Sequence, residues 1–240
     1  MIDLHCHLLW GVDDGAQTLD EALALARHAV ADGIVASVLT PHIHPGRYEN
    51  TRSQLEPRVE AFRAALADAG IPLAVKLGGE VRLSMESLEL LLEGQAPFLG
   101  EVDGYRIMLV EFPHQTIPVG SLQFVDKLMQ MKIRPLIAHP ERNKAVIGDP
   151  NRLVPYLERG CWLQLTAAAI AGHFGEPPET TARTLLGNGW AHVIASDAHN
   201  LKHRPPSISE GCRLAAGIVG AASAERMTCE LPARIYGLPA

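Results

Sequence analysis

Cysteine is scarce in this chain of 240 residues, and its four cysteines are too scattered to form a disulfide framework or a C-x-x-C pair. No segment gathers lysine and arginine, and the formal net charge is −6, so a nucleic-acid-binding surface is not expected. No apolar run approaches the roughly 20 residues of a membrane-spanning helix, and an aspartate and two histidines interrupt the place of a signal peptide. These absences predict a soluble, cytoplasmic protein that does not insert into a membrane.

Three familiar catalytic loops are also missing. A cysteine-based phosphatase loop needs an arginine six positions after its cysteine, but those positions hold Val12, Ala167, Ile218 and Ile235. There is no Walker-type phosphate loop and no Gly-x-Ser-x-Gly elbow. Phosphate chemistry based on these loops is therefore excluded.

Apolar residues make up 47% of the chain, and they are arranged as short continuous runs between amphipathic helical patterns. Seven such runs can be recognised, at residues 1–7, 35–39, 73–77, 106–110, 134–138, 161–165 and 191–195. Strands that are apolar throughout, alternating with helices, are typical of a parallel sheet covered by helices. We expect one domain over residues 1–240, with residues 207–240 as a helical tail packed on it.

Six of the seven runs end in a histidine, aspartate or glutamate; the run at 161–165 does not. An open doubly wound sheet and a barrel both fit the alternation, but a barrel brings the carboxyl ends of its strands together at one mouth. The residues at those ends therefore favour an α/β barrel. The full set is His5, His7, Asp14, His42, Glu80, Glu111, His139, Asp197 and His199.

The first and last members of this set form two pairs of the same spacing. His5 and His7 point to the same side of an extended strand, and Asp197 and His199 repeat the pattern. Any one of the nine residues, taken alone, could be a surface acid or a packed histidine. Together they exceed what one ion needs, since a catalytic zinc takes about three protein ligands. We expect two or three divalent ions, and imidazole with carboxylate suits manganese, iron or zinc.

Two arginines follow members of this set. Arg142 lies three residues after His139, and Arg204 lies five residues after His199. The planar guanidinium binds phosphate oxygens in a bidentate manner, although each arginine alone could instead form an ordinary ion pair. Beside a polynuclear metal site they point to a phosphate ester as substrate.

These residues resemble the metal motifs of the polymerase and histidinol phosphatase (PHP) superfamily, in the same order. More narrowly, DLHCH at 3–7, VDDG at 12–15, IAHPER at 137–142 and SDAHN at 196–200 with RPP at 204–206 look like the bacterial manganese-dependent protein-tyrosine phosphatases of capsule and exopolysaccharide systems. The resemblance implies a distorted (β/α)7 barrel of the PHP type with three metal ions. One ion would take His5, His7, Glu80 and Asp197, a second Glu80, Glu111 and His139, and a third Asp14, His42 and His199.

The resemblance also implies the reaction. The expected activity is hydrolysis of phosphotyrosine in a protein, such as a tyrosine kinase of polysaccharide biosynthesis, by attack of metal-bound hydroxide on phosphorus. Arg142, Arg204, His42 and Asp14 are the candidate catalytic residues, and manganese is the expected metal, with iron or zinc as alternatives. Three other functions remain open from the sequence: a small-molecule phosphomonoesterase of the histidinol-phosphate type, a non-catalytic metal-stabilised barrel and a metal-dependent amidohydrolase.

Overall fold

The computed structural model describes residues 1–238, and these contain ten strands and eleven α-helices. The strands are β1 (Ile2–Cys6), β2 (Ala36–Leu39), β3 (His42–Ile43), β4 (Ala74–Leu77), β5 (Glu80–Arg82), β6 (Gly100–Val102), β7 (Tyr105–Glu111), β8 (Ile133–Ala138), β9 (Trp162–Thr166) and β10 (Val193–Ala195). The helices are α1 (Leu19–Ala31), α2 (Arg52–Asp68), α3 (Met85–Leu92), α4 (Ser121–Gln130), α5 (Lys144–Gly148), α6 (Val154–Glu158), α7 (Ala167–Ile170), α8 (Glu176–Gly187), α9 (Ser209–Val219), α10 (Ala221–Glu225) and α11 (Leu231–Tyr236).

All seven predicted strand positions are present, and two of them are each followed by a further short strand that was not predicted. The run at 35–39 contains β2, and β3 follows after Thr40 and Pro41, because proline has no N–H to donate to a ladder. The run at 73–77 contains β4, and β5 follows after Gly78 and Gly79. A Cβ on Gly78 would lie 2.5 Å from the Val38 side chain, so the close packing at this break requires glycine.

The strands pair in parallel in chain order, as an α/β barrel requires. One sheet has the order β1-β2-β4, and the other has the order β10-β9-β8-β7-β5-β3, with β6 antiparallel to β7. Within residues 1–238 no continuous ladder closes the ring between β10 and β1. Two backbone hydrogen bonds just beyond β10 join them instead, from Asp197 N to His5 O and from His7 N to Ala198 O, each 2.8 Å long. The barrel is therefore distorted, as predicted.

The C-terminal segment covers the end of the barrel opposite the predicted ligands. Ile235 of α11 is buried in the inner cluster with side chains such as Leu4 and Leu109. Lys76 Nζ donates hydrogen bonds to the carbonyl oxygens of Ile235 (3.2 Å) and Tyr236 (2.7 Å). This segment contains α9, α10, a π-helical turn (Arg226–Glu230) and α11, while residues 239 and 240 of the predicted tail lie outside the described part.

Prolines mark the starts of two helical segments. Pro177 and Pro178 lie in the first turn of α8, where backbone N–H groups have no intrahelical partner. A 3-10 turn (Pro150–Leu153) leads directly into α6. No helix of the described chain has the length and apolar character needed to cross a membrane.

Candidate metal centre

All nine predicted ligands lie together at one mouth of the barrel. His5, His42, Glu80 and Glu111 belong to β1, β3, β5 and β7, whereas the other five follow β1, β8 or β10. Backbone geometry is unusual at two of these positions. His139 and Asp197 adopt positive φ angles of 33° and 53°, a region that non-glycine residues rarely enter. Such strained conformations cluster at functional sites, where the surrounding fold imposes them.

The ligand atoms of these side chains lie close together. Four groups have potential metal-binding atoms within 4.8 Å of one another: His7, Asp14, His42 and His199; His5, His7 and Glu80; His5, His139 and Asp197; and His42, Glu80 and Glu111. Every predicted ligand occurs in at least one group. Because several residues belong to two groups, the centre is continuous across the barrel mouth.

Glu80 lies at the middle of the centre and is 1% exposed. Its Oε1 lies 2.7 Å from His139 Nε2, and its Oε2 lies 2.9 Å from His42 Nδ1 and 3.4 Å from His5 Nε2. Burial raises the pKa of this carboxyl, but the charges of His5 and His42 and the hydrogen bond with His139 outweigh it. The pKa of Glu80 is therefore held well below its usual range, and the carboxylate is ionised.

The outer nitrogens of the first two histidines are fixed by residues that the sequence analysis did not include in the site. His5 Nδ1 lies 2.8 Å from Gln164 Oε1, and His7 Nδ1 lies 2.7 Å from Asp13 Oδ2. With an ion bound at the centre, these acceptors would keep the ring proton on Nδ1 and leave Nε2 free to act as the ligand. The two Nε2 atoms face each other at 3.3 Å, as expected for ligands that share an ion.

Gln164 and Asp13 each gave one signal in the sequence. Gln164 is the single polar residue of the apolar run Leu163-Gln164-Leu165, in the strand that ends without a ligand. Asp13 directly precedes the predicted ligand Asp14. Neither signal identifies the histidine that each residue contacts.

Four buried atoms of the centre form no hydrogen bond of regular geometry in the described chain, although they face the ligand atoms of neighbouring side chains: His42 Nδ1, Glu80 Oε2, Asp197 Oδ1 and His199 Nε2. An unpartnered buried polar atom costs about 1–3 kcal/mol, so native proteins contain few of them. His199 is neutral, since burial and the charge of His7 lower its pKa to about 4. A cluster of free imidazole nitrogens and carboxylate oxygens fits divalent ions of the manganese, iron or zinc type.

Arg142 and Arg204 contact the same oxygen atom of Asp197. Both guanidinium groups donate to Asp197 Oδ2, while Asp197 Oδ1 faces His5 Nε2 at 3.2 Å and His7 Nε2 at 3.4 Å. Burial raises the pKa of this carboxyl, but the charges of His5 and the two arginines hold it well below its usual range. The arginines thus lie at the edge of the metal centre, joined to it through one ligand.

The mouth of the centre is a cavity of about 150 Å³. Six of the nine predicted ligands line it, together with four arginines, Arg47, Arg82, Arg142 and Arg204. Only Arg142 and Arg204 were predicted from the sequence. Arg82 donates to Glu111 Oε2 at 2.9 Å, and Arg47 lies over the ring of Tyr48, which stacks on His42. The carboxylates of Asp14, Glu80, Glu111 and Asp197 balance the four arginines, so bound divalent ions would make the cavity positively charged. With its aromatic wall it would then suit an anionic group on an aromatic carrier.

Comparison with known proteins gives consistent matches over nearly the whole chain. The family described as "Capsular polysaccharide synthesis, CpsB/CapC" matches residues 1–236. Tyrosine-protein phosphatase YwqE of Bacillus subtilis strain 168 is 34% identical over 204 residues, covering 85% of this chain and 79% of the relative. Tyrosine-protein phosphatase CpsB of Streptococcus pneumoniae is 28% identical over 240 residues, covering 98% of each.

A solved structure agrees with the sequence matches. It comes from the crystal structures of YwqE from Bacillus subtilis and CpsB from Streptococcus pneumoniae, described as unique metal-dependent tyrosine phosphatases. The TM-score is 0.92 at 30% identity, and the match covers 100% of this chain and 96% of the other.

Proposed function

Because this chain belongs to the CpsB/CapC family of capsular polysaccharide synthesis, we propose that it is a metal-dependent protein-tyrosine phosphatase. The observation that carries the proposal is the set of buried, unpartnered imidazole and carboxylate atoms at the barrel mouth, next to two arginines. The described relatives of that family are named tyrosine-protein phosphatases and are metal-dependent in the solved pair. The fold and the resemblance inferred from the sequence are thereby confirmed.

We propose that three divalent ions occupy the centre, with manganese as the physiological metal. His5, His7, Glu80 and Asp197 would hold one ion, Glu80, Glu111 and His139 a second, and Asp14, His42 and His199 a third. The short distances among these ligand atoms support the residue set. When bound, such ions supply a nucleophile near neutral pH and stabilise the charge of the transferring phosphoryl group.

The residues of the chain itself then bind and orient the substrate. Arg142 and Arg204 present N–H groups at the cavity, and their forks suit two oxygens of a phosphoryl group. Neither guanidinium can lose its charge, so both stabilise the negative charge that spreads over the equatorial oxygens in the transition state. Phe174 packs 5.0 Å from the Arg142 guanidinium and limits its movement.

The remaining polar residues of the centre keep the ligands in place. Gln164 and Asp13 hold the outer nitrogens of His5 and His7, so the two inner nitrogens are aimed at the position where an ion would bind. We assign His42 and Asp14 to the reacting end of the centre, because both line the cavity. The ring of Tyr48 beside His42 offers an aromatic contact for the tyrosine of the substrate.

The partner that we propose is a phosphotyrosyl protein of a bacterial capsule or exopolysaccharide system, such as its tyrosine kinase, acting in the cytoplasm. A small phosphate monoester of the histidinol-phosphate type is the competing substrate. The two are separated by comparing kcat/KM for a phosphotyrosyl peptide with kcat/KM for a panel of small phosphomonoesters.

The decisive experiment measures phosphate release from a phosphotyrosyl peptide by the purified protein, before and after chelation, with metal content from mass spectrometry. We expect activity that is lost on chelation and restored by manganese. Arg142→Ala should lower kcat/KM by about 10²–10³-fold, the usual cost of losing one charge-stabilising donor. Arg152→Ala, an exposed arginine far from the cavity, is the matched control. Phosphate release that resists chelation would contradict the proposal, and a preference for small monoesters would favour the competing substrate.

A further inference from the structure

A second and larger cleft opens beside the metal centre. Its volume is about 520 Å³, and it lies between the start of α1 and the loop at 200–203. Ala24, Leu25 and Leu201 give it an apolar surface. Asp14 and His199 line both this cleft and the metal centre, so the two are continuous. We call this cleft the flanking groove, and its full lining is Asp14, Gly15, Gln17, Glu21, Ala24, Leu25 and residues 199–203.

The loop that carries Leu201 has a fixed shape. Asn200 Oδ1 accepts hydrogen bonds from Lys202 N at 3.1 Å and His203 N at 2.8 Å. The carbonyl oxygen of Arg204 accepts from His199 N at 2.9 Å and Asn200 N at 3.2 Å. The loop begins at His199, a predicted metal ligand, and ends at Arg204, a proposed phosphate-binding residue. Leu201 lies between them.

Leu201 is 49% exposed, although it is a large apolar residue beside a polar site. A single exposed leucine needs no explanation, but one that lines an apolar cleft next to a reaction centre marks a binding surface. The loop's hydrogen bonds hold this side chain in position before any ligand arrives, so less ordering entropy is lost on binding.

Two features indicate that the occupant is polypeptide and not the phosphotyrosine ring. The groove has the volume of a site for a ligand of many atoms, since pockets of about 300–1,000 Å³ hold drug-sized molecules. The metal cavity also offers the ring a separate aromatic surface, since Tyr48 lies in its wall and stacks on His42. We infer that the flanking groove receives an apolar side chain of the substrate polypeptide next to the phosphotyrosine. This inference rests on the proposed function.

The test compares three substrates under steady-state conditions with the manganese-loaded enzyme. They are a phosphotyrosyl peptide with leucines at the two positions on each side, the same peptide with glycines there, and 4-nitrophenyl phosphate. For the wild type we expect kcat/KM to be about fivefold higher for the leucine peptide than for the glycine peptide. This preference is smaller than the selectivity of a closed apolar pocket, because the groove is open to solvent. Leu201→Asp should remove this preference, and Leu201→Ala should reduce it.

The control variant is Leu92→Ala, another exposed leucine, 64% exposed and outside both clefts, which should keep the wild-type ratio between the two peptides. Thermal melting verifies that each variant is folded. An equal loss on all three substrates in Leu201→Asp would overturn the inference, because it would place the ring in the groove. A wild type that does not distinguish the two peptides would also overturn it. Hydrolysis of the glycine peptide tests the proposed phosphatase activity separately from the groove. No hydrolysis of any phosphotyrosyl peptide would contradict the proposed function, whereas hydrolysis of both peptides at equal rates would contradict only the role of the groove.

Discussion

Replacing Glu80 by glutamine tests the metal centre most directly. Glu80 contacts the imidazoles of His5, His42 and His139 and belongs to two of the four close groups of ligand atoms. Glutamine keeps the shape and one carbonyl oxygen but removes the negative charge and one ligand atom. If Glu80 bridges two ions, this single change should weaken both of them and leave the ion at Asp14, His42 and His199 largely intact.

The expected size of the effect follows from linkage between binding and folding. An ion present at 100 times its Kd stabilises the folded state by about 2.7 kcal/mol, so two ions contribute about 5 kcal/mol. In a chain of this length each kcal/mol shifts Tm by about 2–4 °C. Manganese should therefore raise the Tm of the wild type by roughly 15–30 °C when three ions bind, and that of Glu80→Gln by roughly 5–11 °C.

The assay is thermal unfolding of chelator-treated protein with and without manganese, with metal stoichiometry from mass spectrometry. Each variant's own metal-free Tm is the baseline, so changes in the intrinsic stability of the fold cancel. Glu101→Gln, which changes an exposed glutamate of β6, should respond to manganese like the wild type. If Glu80→Gln binds as many ions as the wild type and shows the same rise in Tm, Glu80 does not bridge and the assignment is wrong.

Three further predictions concern other parts of the chain. Ile235→Ala, at the covered end of the barrel and 1% exposed, should lower the free energy of unfolding in urea by about 2–5 kcal/mol, whereas Leu238→Ala, 37% exposed, should cost far less. Burial lowers the pKa of His192 to about 4, so only the unfolded chain takes up this proton as pH falls below 6.5. The wild type should therefore lose about 2 kcal/mol more stability than His192→Gln between pH 7 and pH 5, and equal losses would refute this. Cys6→Ser should keep metal content and turnover, because the Cys6 thiol is buried and donates to Val38 O at 3.4 Å, and inactivation would contradict its purely structural role.

The grouping of these nine side chains could be predicted from the sequence because most of them end or closely follow an apolar run. Parallel strands place their carboxyl ends at one mouth, so residues far apart in the chain must meet there. The breaks at Pro41 and Gly79 were not predicted, although both residues are visible in the sequence. A short apolar run indicates a strand, but it does not show that the chain then breaks and continues in a second sheet. Here β2 and β4 lie in one sheet and β3 and β5 in the other, and the break after β4 depends on close packing against Val38.

Contacts between side chains that are far apart in the sequence could not be predicted from the strand and helix pattern. Gln164 is separated by 159 residues from His5, whose ring it orients. The strand of Gln164 ends without a ligand, so strand-end analysis left it outside the site. Its amide instead supports the ligands from within the barrel, and it also lies 3.3 Å from the backbone N–H of His139. One residue thus holds parts of the centre on two strands, which only the three-dimensional structure reveals.

Asp197 shows best why separate motifs do not describe this site. The sequence analysis assigned Asp197 to the metals and the two arginines to phosphate, as independent groups. In the structure the two oxygens of Asp197 have different partners: Oδ1 faces the inner nitrogens of His5 and His7, and Oδ2 accepts from Arg142 and Arg204. The arginines therefore hold the carboxylate so that its other oxygen stays directed at the imidazoles. Because one buried carboxylate joins the two groups, Asp197→Asn should weaken both metal binding and phosphate binding, whereas loss of either arginine should leave most of the metal in place.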